Sequence, residues 1–211
     1  MLVVHHLGIS QSDRIVWLCE ELELPYELKR YDRDPVTRLA PAEYKALHPA
    51  GTAPVIDDGD IRLGESGAII AYILATYDNG RLEIAPGQPG YADYLYWLHA
   101  GPGSVAPAMM TDLILQIAGV TGDMATRLKG RGENAFRMLE DRLSQVPYLA
   151  GETFTAADII NLFPLVTGRM FVPRDFSGSP GIRAYLARIG ERPAFQRAMA
   201  KADPGLPLLL S

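Results

Sequence analysis

Val55-Ile56-Asp57-Asp58-Gly59-Asp60-Ile61-Arg62-Leu63 reads as two short strands joined by a tight turn, and Glu65-Ser66 directly after it opens a helix. The turn has the Asp/Gly chemistry of a hairpin loop, with aliphatic residues on both sides. In the helix, Ile69, Tyr72, Ile73 and Tyr77 recur on related faces. The segment is therefore a ββα unit. Upstream, Leu2-Val3-Val4-His5-His6 predicts a strand, and a helix follows Gly8 with Ser12 placed to cap it. Ile15, Val16, Leu18, Cys19 and Leu22 recur there at helical spacing, and Pro25 ends the element before an extended Tyr26–Tyr31. Residues 32–50 mix charge with proline and leave room for one short helix around Glu43–Leu47. The order βαβ, then ββα, predicts a small α/β domain over residues 1–80.

Beyond it the pattern changes. Asp78-Asn79-Gly80 through Gly87-Gln88-Pro89-Gly90 has the composition of a linker, placed at 81–90. From residue 91 to 211 no strand is predicted. Tyr91–Ala100, Met109–Ile117, Met124–Leu143, Ala156–Gly168, Pro180–Ile189 and Pro193–Lys201 all read as helices. Gly101-Pro102-Gly103 and Pro107 are expected to kink or break the first of them. The fold class is thus α/β followed by all-α.

Composition narrows the function classes. Of 211 residues, 48% are hydrophobic and 21% charged, which argues against wholesale disorder. A net charge of −5 gives no electrostatic footprint for nucleic acid. No apolar run approaches a bilayer span, and the N-terminus lacks a basic leader, so no membrane association and a cytoplasmic location are expected. Cys19 is the only cysteine, which excludes an internal disulfide and any multi-cysteine zinc site. His5 and His6 are adjacent in a strand and face opposite ways, and His48 and His99 are scattered, so no metal is expected.

Four stretches resemble one family. His5-His6-Leu7-Gly8-Ile9-Ser10-Gln11-Ser12-Asp13-Arg14-Ile15-Val16-Trp17-Leu18 is similar to the start of bacterial and fungal-type glutathione S-transferases. So are His48-Pro49-Ala50-Gly51-Thr52-Ala53-Pro54-Val55 and, further on, Glu65-Ser66-Gly67-Ala68-Ile69. Leu149-Ala150-Gly151-Glu152-Thr153-Phe154-Thr155-Ala156-Ala157-Asp158 resembles the entry to the core helix of that family's C-terminal domain. The resemblance implies a thioredoxin-like N-terminal domain, a helical C-terminal domain, glutathione as co-substrate and a homodimer.

Such an enzyme must present the glutathione thiol as a thiolate. A cysteine-like thiol of pKa about 8.5 is only a few per cent ionised at neutral pH. Lowering it by roughly 2 units takes about 2.7 kcal/mol, within reach of one hydrogen bond to the charged sulfur plus a helix N-terminus. Ser10 and Ser12 both lie at a helix start. By residue chemistry alone each can simply build a turn and a cap. In serine-type members of the family the activating serine precedes an arginine by four, the interval from Ser10 to Arg14. The resemblance therefore implies Ser10 as the catalytic hydroxyl, with Ser12 mostly structural and secondarily part of the thiolate network.

The resemblance also implies that Ala53-Pro54 is cis and that the Ala53 main chain pairs with the cysteinyl part of glutathione. Glu65 and Ser66 read locally as an N-terminal acid and a capping hydroxyl; by resemblance they bind the γ-glutamyl ammonium and carboxylate. Thr52 departs from the family, which commonly has a long polar residue there. Its loss of a charge-assisted contact amounts to roughly 1–2 kcal/mol and is expected to weaken glutathione binding unless Arg38 or Lys45, in the irregular segment before it, compensates.

By analogy the hydrophobic electrophile meets Leu7, Trp97, Met109, Met110 and Phe171, residues that equally suit an ordinary core. Cys19, on the apolar face of the first helix, reads as packing. Thr155 with Asp158 reads as a capping box. Alternatives on the same scaffold are a glutathione-dependent peroxidase, isomerase or dehalogenase, or a non-catalytic member that binds a ligand or partner.

Overall fold

The computed structural model describes the backbone of residues 1–211 and every side chain except that of Arg131. Its contacts divide into two compact units, Met1–Arg81 with Glu191–Pro207, and Leu82–Gly190 with Leu208–Ser211. The region expected to be one helical domain, 91–211, thus gives its last helix to the first unit.

In the first unit, β1 (Leu2–Leu7), α1 (Asp13–Glu21) and β2 (Tyr26–Tyr31) form the βαβ half, with β1 and β2 parallel. After the short α2 (Ala42–Lys45), β3 (Val55–Asp58) and β4 (Ile61–Gly64) form the hairpin, and α3 (Ser66–Ile73) follows. The sheet order is β2-β1-β3-β4, with β3 antiparallel to both its neighbours. Gly59 takes φ 59° at the first of the two hairpin loop positions, which a II′ turn demands and a side chain disfavours.

The helix α1 is buried on all sides. Its apolar face Ile15, Val16, Leu18 and Cys19 lies in the core as the periodicity predicts, but Asp13, Arg14, Trp17 and Glu20 are buried too. The reason is α9 (Pro193–Ala202), which packs on α1 and covers its polar face. Trp17 meets Phe195 edge-on at 5.1 Å between ring centroids. Glu20 is held by Arg197 and Lys201, and Glu21 takes both guanidinium branches of Arg192 at 2.7 Å. Such bidentate pairs are the strong kind, and they let a polar helix face be buried.

The second unit is helical, with α4 (Tyr91–Ala100), α5 (Ala106–Ile117), α6 (Asp123–Leu143), α7 (Ala156–Asn161) and α8 (Pro180–Gly190). Gly101–Val105 forms a π-helical turn that joins α4 to α5, so the prolines widen the helix here without ending it. A Cβ on Gly101 would lie 3.1 Å from Ile160, so a side chain there would crowd α7 against the end of α4. The helix expected over 156–168 stops at Asn161 and continues as 3₁₀ turns at Phe163–Leu165 and Thr167–Met170. Pro164 has no N–H to donate and its ring crowds the preceding turn. The capping box forms as read: Asp158 is wholly buried and its carboxylate accepts from the N–H groups of Thr155 and Leu149, both at 2.9 Å. No helix is long and apolar enough to cross a membrane among the described residues.

Candidate active site

The loop from β1 to α1 carries Ser10, and three contacts fix it. The Ser10 hydroxyl donates to the Leu7 carbonyl at 2.6 Å and lies 2.7 Å from Ser12 Oγ. The Ser12 N–H in turn donates to Ser10 Oγ at 3.3 Å. Ser10 is only 5% exposed, so its hydroxyl works in a dry setting.

Ser12 stands at the N-cap position of α1, but its side chain makes no capping bond, contrary to the local expectation. The Leu7 N–H donates to Ser12 Oγ at 3.1 Å, and His6 Nδ1 lies 2.8 Å away. These groups on β1 outcompete the helix N–H groups because they place the hydroxyl fully inside the core, with Ser12 at 0% exposure. On the far side of the same imidazole, His6 Nε2 is 3.3 Å from Asp203 Oδ2. The Asp203 carboxylate follows α9, accepts from the Ile9 N–H at 3.1 Å, and lies 3.5 Å from Arg30. Burial pushes its carboxyl upward, but His6, the Ile9 N–H and Arg30 together hold it below the usual carboxylate range.

Sequence reading did not find this set. Ile9 takes φ 52°, rare for a β-branched residue, and Asp203 grips its N–H while Arg33 donates to its carbonyl at 3.1 Å. A second Arg33 nitrogen donates to the Gly8 carbonyl at 2.8 Å. His6 had no visible partner in the sequence. His5 does point the other way, to Tyr31 and Asp57.

A second group of candidate residues lies at the hairpin. Ala53-Pro54 is cis, with Ala53 half-buried and Pro54 buried at the head of β3. Thr52 is exposed. Lys45 lies beside the neighbouring Gly51: its Cβ is 3.9 Å from the position a Cβ on Gly51 would occupy. Arg38 instead joins a local turn in which its carbonyl accepts from Arg33. Of the two cations, it is the Lys45 stem that lies next to the Gly51-Thr52 turn.

At α3, Glu65 is the N-cap residue, with φ 70° and an exposed side chain, and Ser66 is the first helical residue, buried. Neither side chain caps the helix, so the expected local role as a cap is not taken up. The first-turn N–H groups of α3 thus have no side-chain cap, and a hydroxyl and a carboxylate stand at the same helix start, a combination suited to an α-amino acid head group.

Residues 10–76 match the family model of the glutathione S-transferase N-terminal domain, and residues 125–188 that of the C-terminal domain. Glutathione S-transferase 3 of Schizosaccharomyces pombe is 30% identical over 231 residues, covering 100% of this chain and 92% of the relative. The chain belongs to the glutathione S-transferase family. Among solved members of the family, a glutathione S-transferase from Actinobacillus pleuropneumoniae superposes with a TM-score of 0.89 at 37% identity, covering 97% of this chain and 95% of that one. A glutathione transferase from Phanerochaete chrysosporium, solved with oxidized glutathione, gives a TM-score of 0.75 at 25% identity, covering 95% and 94%. The expected thioredoxin-like domain and helical glutathione-transferase domain are those of this family.

The remaining expected site residues fall within single units. Leu7 belongs to a core cluster with Tyr44 and Val55. In the second unit Trp97 and Met109 are buried, Met110 is 40% exposed and Phe171 is half-buried. A cleft of about 560 Å³ in that unit is lined by Asp112, Leu115, Lys129, Glu133, Val172 and Arg174 among others, and by none of these four. Cys19 is fully buried, and burial together with Glu20 pushes its thiol up to about 12 against the pull of Lys201. It packs and does not react.

Proposed function

We propose that the first unit binds glutathione and holds its sulfur as a thiolate for transfer to a hydrophobic electrophile. One observation carries the reading. Ser10 sits at the start of α1 in a dry loop, and its single hydrogen rests on a carbonyl from which it can turn to an anion. Donation to a sulfur anion, assisted by the positive end of α1, supplies the roughly 2.7 kcal/mol that a 2-unit pKa shift requires. No general base is needed.

Binding in this reading uses backbone and side chain together. The Ala53 main chain pairs with the cysteinyl residue in the manner of strand addition. Ser66 and the first-turn N–H groups of α3 take the γ-glutamyl carboxylate, and Glu65 takes the ammonium. Lys45 supplies the cation that Thr52 lacks. Ser12 supports Ser10 from behind. In the second unit, Met110 and Phe171 are the expected electrophile-wall residues with accessible surface. A homodimer and a cytoplasmic location belong to the reading through the family likeness alone.

The test is conjugation of glutathione to a haloaromatic electrophile by the wild-type protein and by Ser10→Ala, with glutathione affinity measured by calorimetry. Loss of turnover with retained binding supports the reading. Unchanged turnover in the variant sinks Ser10. Hydroperoxide and maleyl substrates run in the same assay separate a peroxidase or isomerase from a conjugating enzyme. Absence of glutathione binding at millimolar concentration points to a non-catalytic member.

A further inference from the structure

Counting hydrogens along the buried chain from Ser10 to Asp203 gives a direction to every bond in it. Ser12 Oγ has one hydrogen and two lone pairs, and the Leu7 N–H takes one lone pair. One hydrogen and one lone pair are left for its two other close neighbours, His6 Nδ1 at 2.8 Å and Ser10 Oγ at 2.7 Å. Two arrangements satisfy this. In the first, His6 Nδ1–H donates to Ser12, Ser12 donates to Ser10, and the Ser10 hydrogen points to the Leu7 carbonyl. In the second, Ser12 donates to His6, Ser10 donates to Ser12, and nothing lies between Ser10 Oγ and the Leu7 oxygen.

The 2.6 Å separation of those last two oxygens excludes the second arrangement, since two acceptors do not approach so closely without a hydrogen between them. The first arrangement has a chemical consequence. Both lone pairs of Ser10 are occupied, by Ser12 O–H and Ser12 N–H, so toward a ligand Ser10 can only donate. It also requires a proton on His6 Nδ1. His6 Nε2 is 3.3 Å from an Asp203 oxygen, a charge–charge contact without the alignment of a hydrogen bond. A bare lone pair held there would face the carboxylate unfavourably, and a proton on Nε2 turns that contact into an attraction.

We propose that His6 and Asp203 form a buried ion pair that positions the Ser12 and Ser10 hydrogens, so that Ser10 presents a donor, and never an acceptor, to the glutathione sulfur. The inference rests on the reading of Ser10 given above and names two positioning residues for that site. Besides Asp203, the charged groups nearest the pair are Arg30, 3.5 Å from Asp203, and Arg33, which braces the Gly8 and Ile9 carbonyls. From α1, Asp13 and Arg14 are also buried in this unit. When Asp203 is neutral, His6 is released to accept at Nδ1, Ser12 turns to it, and the Ser10 hydrogen is drawn back to Ser12.

The experiment is a pH titration of the thiol of bound glutathione, followed by the ultraviolet absorbance of the thiolate, in wild type, Ser10→Ala, Asp203→Asn and Ser12→Ala. Asparagine keeps an acceptor for the Ile9 N–H while removing the charge. Asp203→Asn is expected to raise the bound thiol's pKa by about 1 unit, a tenfold smaller thiolate fraction at a pH well below that pKa, with glutathione affinity little changed. Ser12→Ala, which cuts the chain in the middle, should give a shift in the same direction and serves if Asp203→Asn does not fold. A wild-type titration curve in either variant, with Ser10→Ala impaired, overturns the inference and leaves the reading of Ser10 standing. A wild-type curve in Ser10→Ala overturns both.

Discussion

The Ser10 hydroxyl donates to the Leu7 carbonyl across 2.6 Å, at the point where the first strand gives way to the first helix. A hydrogen bond redirected from this carbonyl to a sulfur anion is worth about 1.5–3 kcal/mol. Ser10→Ala should therefore lower kcat/KM for conjugation by about 10- to 150-fold, with thermal stability close to wild type. Steady-state kinetics on a haloaromatic substrate, alongside a melting curve, checks both parts.

Thr52 is exposed, with the Lys45 stem beside its neighbour Gly51. Thr52→Lys adds a charge-assisted contact of about 1–2 kcal/mol and should tighten glutathione binding by about 5- to 30-fold. Lys45→Ala should weaken it. Calorimetry at low salt reads the two changes, and equal affinities in all three proteins would remove Lys45 from the site.

The Asp57 carboxylate, gripped by Arg62 and despite partial burial, and contacted also by His5, has its pKa held down to about 2. A carboxylate more acidic folded than unfolded stabilises the native state above its unfolded pKa of about 3.9, and that stabilisation fades as pH falls toward 2. Asp57→Asn should flatten the dependence of urea stability on pH between about 4 and 2. Unfolding midpoints taken across that window, superimposable on wild type, would contradict the assignment.

Two buried N–H groups, those of Leu149 and Thr155, depend on the one Asp158 carboxylate. Asp158→Ala leaves both without a partner and should cost about 2–4 kcal/mol. The loss should appear in denaturant midpoint and not in the glutathione affinity of any protein that remains folded.

Cys19, at 0% exposure and with its thiol pushed up to about 12, should resist a thiol reagent in the native protein at neutral pH. Reaction should begin only with unfolding, so the labelling rate in increasing denaturant should follow the circular-dichroism transition.

How much of this was legible in the sequence depends on the range of the cause. The 55–66 hairpin and helix opening, and the Thr155–Asp158 box, announce themselves because period, turn chemistry and capping act within a few residues. Glu20 occupies the polar side of a helical pattern and reads as a solvated face; it is buried where Arg197 and Lys201 of α9 hold it, which no local pattern states. Ser12 reads as a cap because cap preference is local, whereas its hydroxyl answers to His6 and the Leu7 N–H on the neighbouring strand. The Pro164 break was visible in principle, since proline in a helical run is a local signal. Asp203 was out of reach: its bond to Ile9 spans 194 residues.

That distance bears on how the protein is made. Asp203, which clamps the Ile9 loop, is synthesised 194 residues after Ile9, so β1, α1 and β2 leave the ribosome well before α9 can close over α1. Domains generally fold as units during synthesis, N-terminal first. Here the first unit is completed only after α8 has been made, and a nascent chain stopped after α8 carries an unclamped Ile9 loop whatever the state of its helical half.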